Sequence, residues 1–374
     1  MRLFLHIMGN TMYTSDTFAF INTCFDGSEH QFANGVLEKS ILEEMHGVDW
    51  KHASIPKIIR PKNLFSYIRA LKRSDGIILH GAFSAKHLLI LSWFPKLLPK
   101  VNWVVWGGDI YRHNLPQKSF QDRLAEKLRV KLAPQFGYIT TLTDKDYPLA
   151  KEWYKVTGKW LKASYPVPLQ HPGTMEKLRA LGLQKHKTAA DTVNLVLGNS
   201  ATETNCHFEA LQMLKKYADH NIKLYLPLNY GFKGYEAYAD KVVKAAQEIF
   251  GEQKVIAIRE RMDGDSYVDF LSQMDIAVMN NNRQQAMGNI AILIACGAKV
   301  YIRQDTTMWQ GYQEKGYHLE SVSQIDEEDY ASFIRYDEEI KNANMQCIAD
   351  YVDIRHLKDK WETIFRSMKE LDNA

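Results

Sequence analysis

The residues of this chain with the clearest chemical capacity lie in a polar turn between Asn280 and Gly288. The turn follows the short apolar run Ile276 to Met279, which is typical of a buried parallel strand. A helix is predicted to begin between Gln284 and Gly288, and its first backbone N–H groups would favour an anion such as a diphosphate. Gly288 would let that anion approach closely. An ordinary βαβ turn without a ligand is the alternative interpretation.

A second set of reactive side chains follows three apolar runs in the first half of the chain. Parallel strands place such ends on one edge of a sheet, so these side chains should line a common cleft. A carboxylate and an imidazole there suit a general base or the binding of a substrate hydroxyl. We expect this role first of Asp109, then of His80 and third of Asp16, although Asp109 is equally suited to cap a helix. The three runs are 76–83, 102–111 and 138–143.

The composition limits the class of protein. A chain of 374 residues with 45% hydrophobic residues can bury two cores of ordinary size. A net charge of +3 is too weak to indicate a nucleic-acid partner. The four cysteines are far apart without a CxxC pair, which fits a reduced cytoplasmic compartment and predicts no metal site. No window reaches the roughly 20 apolar residues of a membrane span.

Three basic segments in the first 135 residues indicate contact with an anionic surface or an anionic substrate. The segment 51–73 carries only basic charged side chains, and 117–134 is also rich in Lys and Arg. Between them, 87–103 combines lysines with Trp93 and Trp103, a combination found at membrane interfaces. A solvated face, or a buried helix with charged neighbours, is the alternative.

The strand-then-glycine pattern returns in the second half of the chain. Val193 to Leu197 is followed by Gly198, Asn199 and Ser200 after a proline-rich stretch. We therefore predict an α/β protein with a Rossmann-like domain at 1–168, a linker at 169–190 and a second such domain at 191–350. The apolar periodicity of the last segment, 351–374, predicts a helix that packs back on the first domain.

Several short segments, taken together in their order, resemble glycosyltransferase family 56, the dTDP-N-acetylfucosamine:lipid II N-acetylfucosaminyltransferase (4-alpha-L-fucosyltransferase-like) family. They span positions 5 to 310, whereas the loop after Gly9, the region 51–73 and the last 60 residues match little and should choose the acceptor. The matching segments are LHIMG (5–9), LHGAF (79–83), WGGDIY (106–111), LGNSATETNCHFEAL (197–211), YLPLNYG (225–231) with YEAY (235–238), and RQQAMGNIAILIACG (283–297) with Trp309-Gln310.

The resemblance implies the GT-B architecture, in which two Rossmann-like domains face each other across a cleft, and a set of residues that bind a dTDP-sugar donor. Glu260 would hold ribose hydroxyls, with a surface salt bridge as its alternative. The remaining donor residues would line the cleft (Gly198, Asn199, Ser200), bound the nucleotide pocket (Tyr225, Pro227, Asn229) and receive the diphosphate and sugar (Gln284, Gln285, Gly288, Asn289). The acceptor-side residues would be His6, Gly9, Trp106 and Gly108.

The resemblance further implies the reaction and its setting. An N-acetylfucosamine-type deoxyamino sugar would pass to an undecaprenyl-diphosphate-linked oligosaccharide at the cytoplasmic face of the bacterial inner membrane. The protein would lie there peripherally, in contact with anionic lipid. Enzymes of this architecture generally neutralise the leaving diphosphate with helix N-termini and side chains, so no metal and no cofactor is expected.

Two other classes of protein remain open at this stage. A GT-B-shaped epimerase acting on UDP-GlcNAc would need no lipid acceptor and no basic aromatic segments. A noncatalytic GT-B-like subunit of a polysaccharide assembly complex would bind a partner without turnover. A Rossmann oxidoreductase is disfavoured because no GxGxxG follows the first strand.

Overall fold

The chain forms two compact α/β units. The structure is a computed structural model that describes residues 3–9, 13–34, 57–59, 63–114, 119–166, 168–171, 173–231 and 234–370. Unit 1 comprises Met1–Val167 with Asp353–Ala374, and unit 2 comprises Pro168–Val352. The last helix of the chain therefore belongs to the same unit as the first strand.

Unit 1 contains a parallel sheet of seven strands in the order β3-β2-β1-β4-β5-β6-β7. The strands are β1 (Phe4–Met8), β2 (His30–Ala33), β3 (Lys57–Ile59), β4 (Gly76–His80), β5 (Val101–Val104), β6 (Tyr138–Thr141) and β7 (Lys159–Lys162). The helices are α1 (Tyr13–Cys24), α2 (Leu64–Arg73), α3 (Ala85–Ser92), α4 (Phe120–Leu132), α5 (Asp146–Tyr154) and, at the end of the chain, the helix Ile354–Glu370.

The two faces of this sheet have separate cores. Tyr67 of α2, Leu88 of α3 and Leu128 of α4 pack on one face. Phe18 of α1 and Trp361 of the C-terminal helix pack on the other. Covering both faces is what buries a parallel sheet, and it explains why its strands are apolar without alternation.

Unit 2 contains a parallel sheet of six strands in the order β10-β9-β8-β11-β12-β13. The strands are β8 (Val193–Leu197), β9 (Ile222–Pro227), β10 (Val255–Ile258), β11 (Ile276–Met279), β12 (Lys299–Ile302) and β13 (Glu320–Ser321). The helices are α6 (Thr174–Leu183), α7 (His207–Leu214), α8 (Tyr235–Phe250), α9 (Gly264–Ser272), α10 (Met287–Ala295), α11 (Thr307–Glu314), α12 (Tyr330–Ile334) and α13 (Glu338–Tyr351), so that the helix Ile354–Glu370 is α14.

Short 3₁₀ helices complete the connections in both units. They are Gly27–Glu29, Pro95–Lys100, Tyr111–Asn114, Ala133–Gln135, Pro168–Gln170, Glu203–Asn205, Lys215–Tyr217, Glu252–Lys254 and Val322–Asp326. Among the described residues, no helix combines the length and the apolar character needed to cross a lipid bilayer.

The strand, turn, helix and strand predicted between 275 and 302 are confirmed as β11, α10 and β12. Every residue of α10 from Asn289 to Ala295 is buried, because the helix is apolar on all sides. Gly297 adopts a φ of +70° directly after this helix, where a residue without a side chain ends the helix at least cost.

The stretch predicted as a linker, 169–190, contains the helix α6. The helix was not predicted from the sequence, because it packs against the end of α10 through a glycine and not through a stripe of apolar side chains. A Cβ added at Gly182 would lie 2.9 Å from the carbonyl carbon of Cys296. Glycine therefore allows the close backbone approach that positions α6.

Candidate functional site

Two polar turns lie together at the carboxyl edge of the unit 2 sheet. Residues 198–200 follow β8, residues 280–286 follow β11, and these two strands are hydrogen-bonded neighbours. Asn282 N–H donates to the carbonyl of Thr204 at 2.9 Å, which ties the second turn to the segment after the first. These two segments are called the donor turns below.

Gln285 is the side chain that joins the donor turns. Its Nε2 donates to Asn199 Oδ1 at 2.9 Å and to Ser200 Oγ at 3.0 Å. Its Oε1 accepts from Thr204 Oγ1 at 2.8 Å, and Asn199 Nδ2 donates to the hydroxyl of Tyr230 at 2.6 Å. The structure thus brings together three residues predicted to bind the donor, Asn199, Ser200 and Gln285, and adds Thr204 and Tyr230 to their hydrogen-bond network.

Asn205 is the buried centre of this network. Its Oδ1 accepts from the Asn199 N–H at 2.9 Å and from Asn281 Nδ2 at 3.0 Å, and its Nδ2 donates to Ser200 Oγ at 3.0 Å. The sequence analysis included it in the segment 197–211 without singling it out, because residue type alone does not separate such a residue from an ordinary turn asparagine.

Three buried side-chain oxygens of the second donor turn have no hydrogen-bond partner within the described part of the chain: Gln284 Oε1, Asn280 Oδ1 and Asn281 Oδ1. Their side chains are 3%, 1% and 0% exposed. A buried acceptor without a donor is costly, and such groups are usually satisfied by a ligand or ordered water. The arrangement can therefore receive hydroxyl or amide donors from a neutral polar ligand.

The helix α10 begins directly after the donor turns. Its N-cap, Ala286, has a φ of +60° and no side-chain capping bond, so the first N–H groups of the helix, including that of Gly288, lack a side-chain cap. Asn289 lies in this first turn and donates from Nδ2 to the Tyr267 hydroxyl at 2.8 Å. Arg283 donates from Nη1 to the carbonyl of the next residue at 3.0 Å. Positive partial charge accumulates here, as anion binding requires.

The residues predicted to bound the nucleotide lie at the neighbouring strand ends. Tyr225 and Pro227 belong to β9, and the Tyr225 ring meets the Phe270 ring edge-on at 5.8 Å. Asn229 Nδ2 donates to the backbone carbonyl of Glu260 at 3.1 Å. The structure therefore brings Asn229 and Glu260 together, whereas the Glu260 carboxylate is exposed on the surface.

In unit 1, Asp109 follows β5 and is fully buried. Its Oδ2 accepts from Trp103 Nε1 at 2.7 Å and from Ala82 N–H at 2.8 Å. Its Oδ1 accepts from Trp106 N–H at 2.9 Å and from Ile110 N–H at 3.1 Å. Both carboxylate oxygens are therefore occupied by N–H donors.

This geometry argues against the prediction that Asp109 acts as a general base. A general base must offer a lone pair to the substrate proton. The lone pairs of both Asp109 oxygens already accept hydrogen bonds from N–H groups of the protein. Arg129, also fully buried, donates from Nη2 to the Ala82 carbonyl at 2.8 Å. Asp109 thus holds the backbone N–H of Ala82 and Arg129 holds its backbone carbonyl, which fixes the turn after β4. The sequence analysis saw Arg129 only as part of a basic segment.

His80 and His6 are brought together in a buried chain of rings. His6 Nδ1 lies 2.9 Å from His80 Nε2, and His6 Nε2 lies 3.0 Å from His30 Nδ1. His80 Nδ1 is hydrogen-bonded to the Tyr165 hydroxyl. Burial lowers the pKa of His80 to about 3, and burial, followed by the nearby Lys369, lowers the pKa of His30 to about 3. The sequence did not indicate His30 or Tyr165, because the strand register brings His30 to His6 and a contact 85 residues away brings Tyr165 to His80.

The other predicted residues of unit 1 lie at different places. Gly9 follows β1, and its carbonyl accepts from Thr14 Oγ1 at 2.8 Å. Gly108 N–H donates to the carbonyl of Trp106 at 2.9 Å, within the turn that Asp109 holds. Asp16 is half-buried in the first turn of α1, a helix on the face that α14 shares. The described residues contain no cluster of three or more His, Cys, Asp or Glu side chains suited to a metal ion.

Comparison with known proteins gives one family and a set of similar folds. The profile of the family described as 4-alpha-L-fucosyltransferase glycosyl transferase group 56 matches residues 62–369. A glycosyltransferase from Rickettsia africae is similar at a TM-score of 0.62 and 13% identity, over 99% of each chain. WaaG, a glycosyltransferase involved in lipopolysaccharide biosynthesis, is similar at 0.58 and 12%, over 97% of this chain and 98% of the other.

A third solved structure carries a sugar nucleotide. The protein described as trehalose-6-phosphate from E. coli bound with UDP-2-fluoro glucose is similar at a TM-score of 0.60 and 10% identity. The match covers 98% of this chain and 99% of that one. At such low identity, these three likenesses describe the fold alone.

Proposed function

The chain belongs to the 4-alpha-L-fucosyltransferase family, glycosyl transferase group 56, and on this premise we propose which sugar it moves and to what acceptor. The glycosyltransferase class and the α/β GT-B fold predicted from the sequence are confirmed by the family match and the solved neighbours. The proposed reaction transfers an N-acetylfucosamine-type sugar from a dTDP-sugar to an undecaprenyl-diphosphate-linked oligosaccharide. It would take place at the cytoplasmic face of the bacterial inner membrane.

The observation that carries the donor proposal is the position of the Gln285 network beside the start of α10. Uncapped N–H groups of that helix would hold the diphosphate, and Arg283 would add charge. Stabilising the departing dTDP is the main electrostatic demand of the reaction, because its negative charge grows as the glycosidic bond breaks. Asn199 and Ser200 would then border the sugar through the turn that Gln285 fixes.

The unpartnered buried oxygens support a sugar, and not the diphosphate, as the group that they contact. Gln284 Oε1 and Asn280 Oδ1 are acceptors that demand N–H or O–H partners. An N-acetylated sugar offers both, whereas the diphosphate offers neither. Recognition by buried acceptors is selective, because an analogue without the donor group would leave them unsatisfied. We assign the sugar to these two oxygens and the diphosphate to the helix start.

We expect dTDP, without magnesium, to raise the midpoint of thermal unfolding of the full chain in proportion to the logarithm of its concentration. At about 100 times Kd, binding stabilises the folded state by about 2.7 kcal/mol. The measurement is a thermal-shift titration with dTDP, UDP, GDP and NAD, each with and without magnesium. UDP as the only stabilising nucleotide would contradict the dTDP donor and indicate a transferase with a UDP-sugar donor, or else the epimerase. No response to any nucleotide would favour the noncatalytic subunit.

The acceptor proposal is supported by a basic and apolar surface on unit 1. The helices α2, α3 and α4 cover one face of the sheet, and Tyr67 and His87 join α2 to α3 by a hydrogen bond of 2.8 Å. Their outer sides carry exposed aromatic and aliphatic side chains among exposed basic ones. We call this the interfacial surface; it comprises Phe65, Arg69, Lys86, Leu89, Trp93, Lys96, Phe120, Arg123, Lys127 and Val130.

The charge of the interfacial surface is almost entirely positive. The only acidic residues in α2, α3, α4 and Pro95–Lys100 are Asp122 and Glu126, which pair with Arg112 and Arg129. Trp93 is 54% exposed and Phe65 is 77% exposed, so large apolar groups stand among the exposed basic side chains. This combination suits the boundary of an anionic bilayer, where a lipid-linked acceptor would be found. Of the predicted segment 51–73, residues 51–56 and 60–62 lie outside the described residues.

We expect the triple substitution R69E/K86E/K127E to weaken binding to anionic phospholipid vesicles at least tenfold. Each basic residue near such a surface contributes about 1 kcal/mol. The measurement is co-sedimentation with vesicles containing about one-third anionic lipid. The matched control is K223E/K241E/K244E, which changes the charge equally on exposed residues of unit 2. Equal losses in both variants would contradict a specific membrane surface.

A further inference from the structure

Three histidines cross one face of the unit 1 sheet in a single file. His80 ends β4 at the carboxyl edge, His6 is the middle residue of β1, and His30 begins β2 at the opposite edge. In the strand register His80 lies opposite Met8 and His30 opposite Phe4, two residues to either side of His6. The three rings therefore share one face and connect the two edges of the sheet.

The rings lie in an otherwise apolar core. Trp361 of α14 stacks on His80 at 5.7 Å, and Phe365 packs against His30 at 4.8 Å. All three histidines are at most 2% exposed. Burial lowers the pKa of His6 well below its usual value, as it does for the other two, so all three rings are neutral near pH 7. An apolar side chain would fill this space at lower cost, which makes a purely structural role a poor explanation.

The hydrogen bond at the carboxyl edge sets the direction of the chain. The Tyr165 ring packs edge-on against the Trp106 ring at 5.1 Å, and burial raises the pKa of Tyr165 well above its usual value, so its hydroxyl keeps its proton near pH 7. Tyr165 is then free to donate its own proton to His80 Nδ1. His80 must in turn carry its proton on Nε2 and donate to His6 Nδ1, and His6 must donate from Nε2 to His30 Nδ1. In this arrangement His80 Nδ1, His80 Nε2, His6 Nδ1, His6 Nε2 and His30 Nδ1 each take part in one hydrogen bond of the chain.

We propose that Tyr165, His80, His6 and His30 form a proton wire that removes the proton of the acceptor hydroxyl during sugar transfer. The inference rests on the proposed function and deepens it by naming the proton acceptor, which Asp109 does not supply. Tyr165 is half-buried at the edge that also carries Trp106, and the proposal places the acceptor hydroxyl at its oxygen. Tyr165 is then the catalytic residue, and the three histidines act through it.

The step balances without a charged intermediate. The acceptor oxygen bonds to the anomeric carbon, the bond from that carbon to dTDP breaks, and the acceptor proton passes to the Tyr165 oxygen. Tyr165 gives its proton to His80 Nδ1, His80 gives its Nε2 proton to His6, and His6 gives its Nε2 proton to His30. His30 releases its Nε2 proton to solvent at the edge near Asp26 and Lys369, the two charges that act on it. Each ring gains one proton and loses another.

This tautomer exchange explains how histidines of low pKa can serve a base function. A single histidine with a pKa of about 3 would be a weak base, because it would have to hold the proton as an imidazolium. In a chain of rings that exchange tautomers, no ring has to hold the extra proton as an imidazolium. After the products leave, the reverse shift brings a proton in at His30 and releases one from Tyr165 to water, which restores the first state.

The test is His30→Gln, assayed in H₂O and D₂O with the full chain, a dTDP-sugar and a lipid-linked acceptor. Glutamine can still accept from His6, but an amide does not relay a proton. We expect kcat to fall about 100-fold, the scale of general-base catalysis. The acceptor KM should stay unchanged, and the solvent isotope effect of the wild type should change with the loss of the concerted transfer. Imidazole should partly restore kcat in His30→Ala.

The matched control is His220→Gln, which removes an exposed histidine ring stacked on Tyr330 in unit 2, outside the wire and the donor turns. We expect its kcat to stay within about twofold of wild type, since surface-side changes rarely reach the chemistry. Wild-type kcat in His30→Gln would overturn the wire. A raised acceptor KM with an unchanged isotope effect would also overturn the wire, because that pattern indicates that the substitution disturbs the packing around the acceptor site and not proton transfer.

An independent measurement separates failure of the wire from failure of the proposed function. A wild-type chain that transfers no sugar from dTDP donors would contradict the proposed function. The wire can still be examined by ¹⁵N NMR of labelled histidines, which we expect to show His6, His30 and His80 neutral, each with one protonated nitrogen in a common direction. An imidazolium at any of the three near pH 7 would overturn the wire.

Discussion

We expect Asp109→Asn to lose sugar transfer and thermal stability together. The amide group of asparagine would place two N–H donors against backbone or indole N–H groups that Asp109 now accepts. Leaving such buried donors unsatisfied costs about 3 kcal/mol of the free energy of unfolding. That corresponds to roughly a 10 °C fall in the midpoint. The measurements are thermal unfolding and kcat of the same preparation.

The combination of the two measurements separates the two roles of Asp109. The matched control is Asp144→Asn, a carboxylate at the end of the next strand that is 47% exposed and pairs with Lys162. An exposed pair contributes about 0–1 kcal/mol, so this variant should unfold near the wild-type midpoint. If Asp109→Asn kept the wild-type midpoint while kcat fell more than about 1000-fold, Asp109 would be the base after all. Turnover near wild type would remove Asp109 from the chemistry.

We expect Gly198→Ala to abolish stabilisation by dTDP and to lower the stability of unit 2. Gly198 has a φ of +69°, where a side chain is strained by about 1 to 3 kcal/mol. The added Cβ would also lie 2.6 Å from His207 Nε2 and 2.8 Å from Asn205 Oδ1. Asn205 would have to move, and the bonds that it makes to Asn199 and Asn281 would break. A thermal-shift titration with dTDP measures both effects.

A glycine elsewhere in unit 2 isolates the contact from the strain. Gly173 has a φ of +77°, and nothing lies within 4 Å of a Cβ added there. Gly173→Ala should therefore lower stability through strain alone and leave the response to dTDP intact. A normal dTDP response in Gly198→Ala would contradict the assignment of the Asn205 network to the donor site.

The sequence was most informative where local patterns suffice. The apolar run ending in three asparagines predicted β11, and the position of Gly297 predicted the end of α10, because glycine tolerates the left-handed conformation found there. The segments around 197–211 and 283–297 indicated the family, and the family match confirmed it. The strand ends carrying His80 and Asp109 were also predicted as one edge of a sheet, which parallel topology requires.

The roles of individual residues depended on contacts between distant parts of the chain. The sequence around Asp109 does not show whether its carboxylate oxygens already accept hydrogen bonds within the protein. That depends on the folded structure, in which the N–H groups of Ala82 and Trp103 approach Asp109. His30 and Tyr165 lie 24 residues after His6 and 85 residues after His80, respectively, so no local spacing could join them.

The sequence by itself determined the α/β class, the family and the strand ends that carry the candidate site residues. Those features follow from short apolar runs, glycines and turn residues, which act over a few neighbouring positions. The tertiary structure alone decided which polar groups are satisfied and which are open. That difference depends on strand register and burial: Asp109 became a clamp for a turn, while His6, a lone histidine in the sequence, became the centre of a chain.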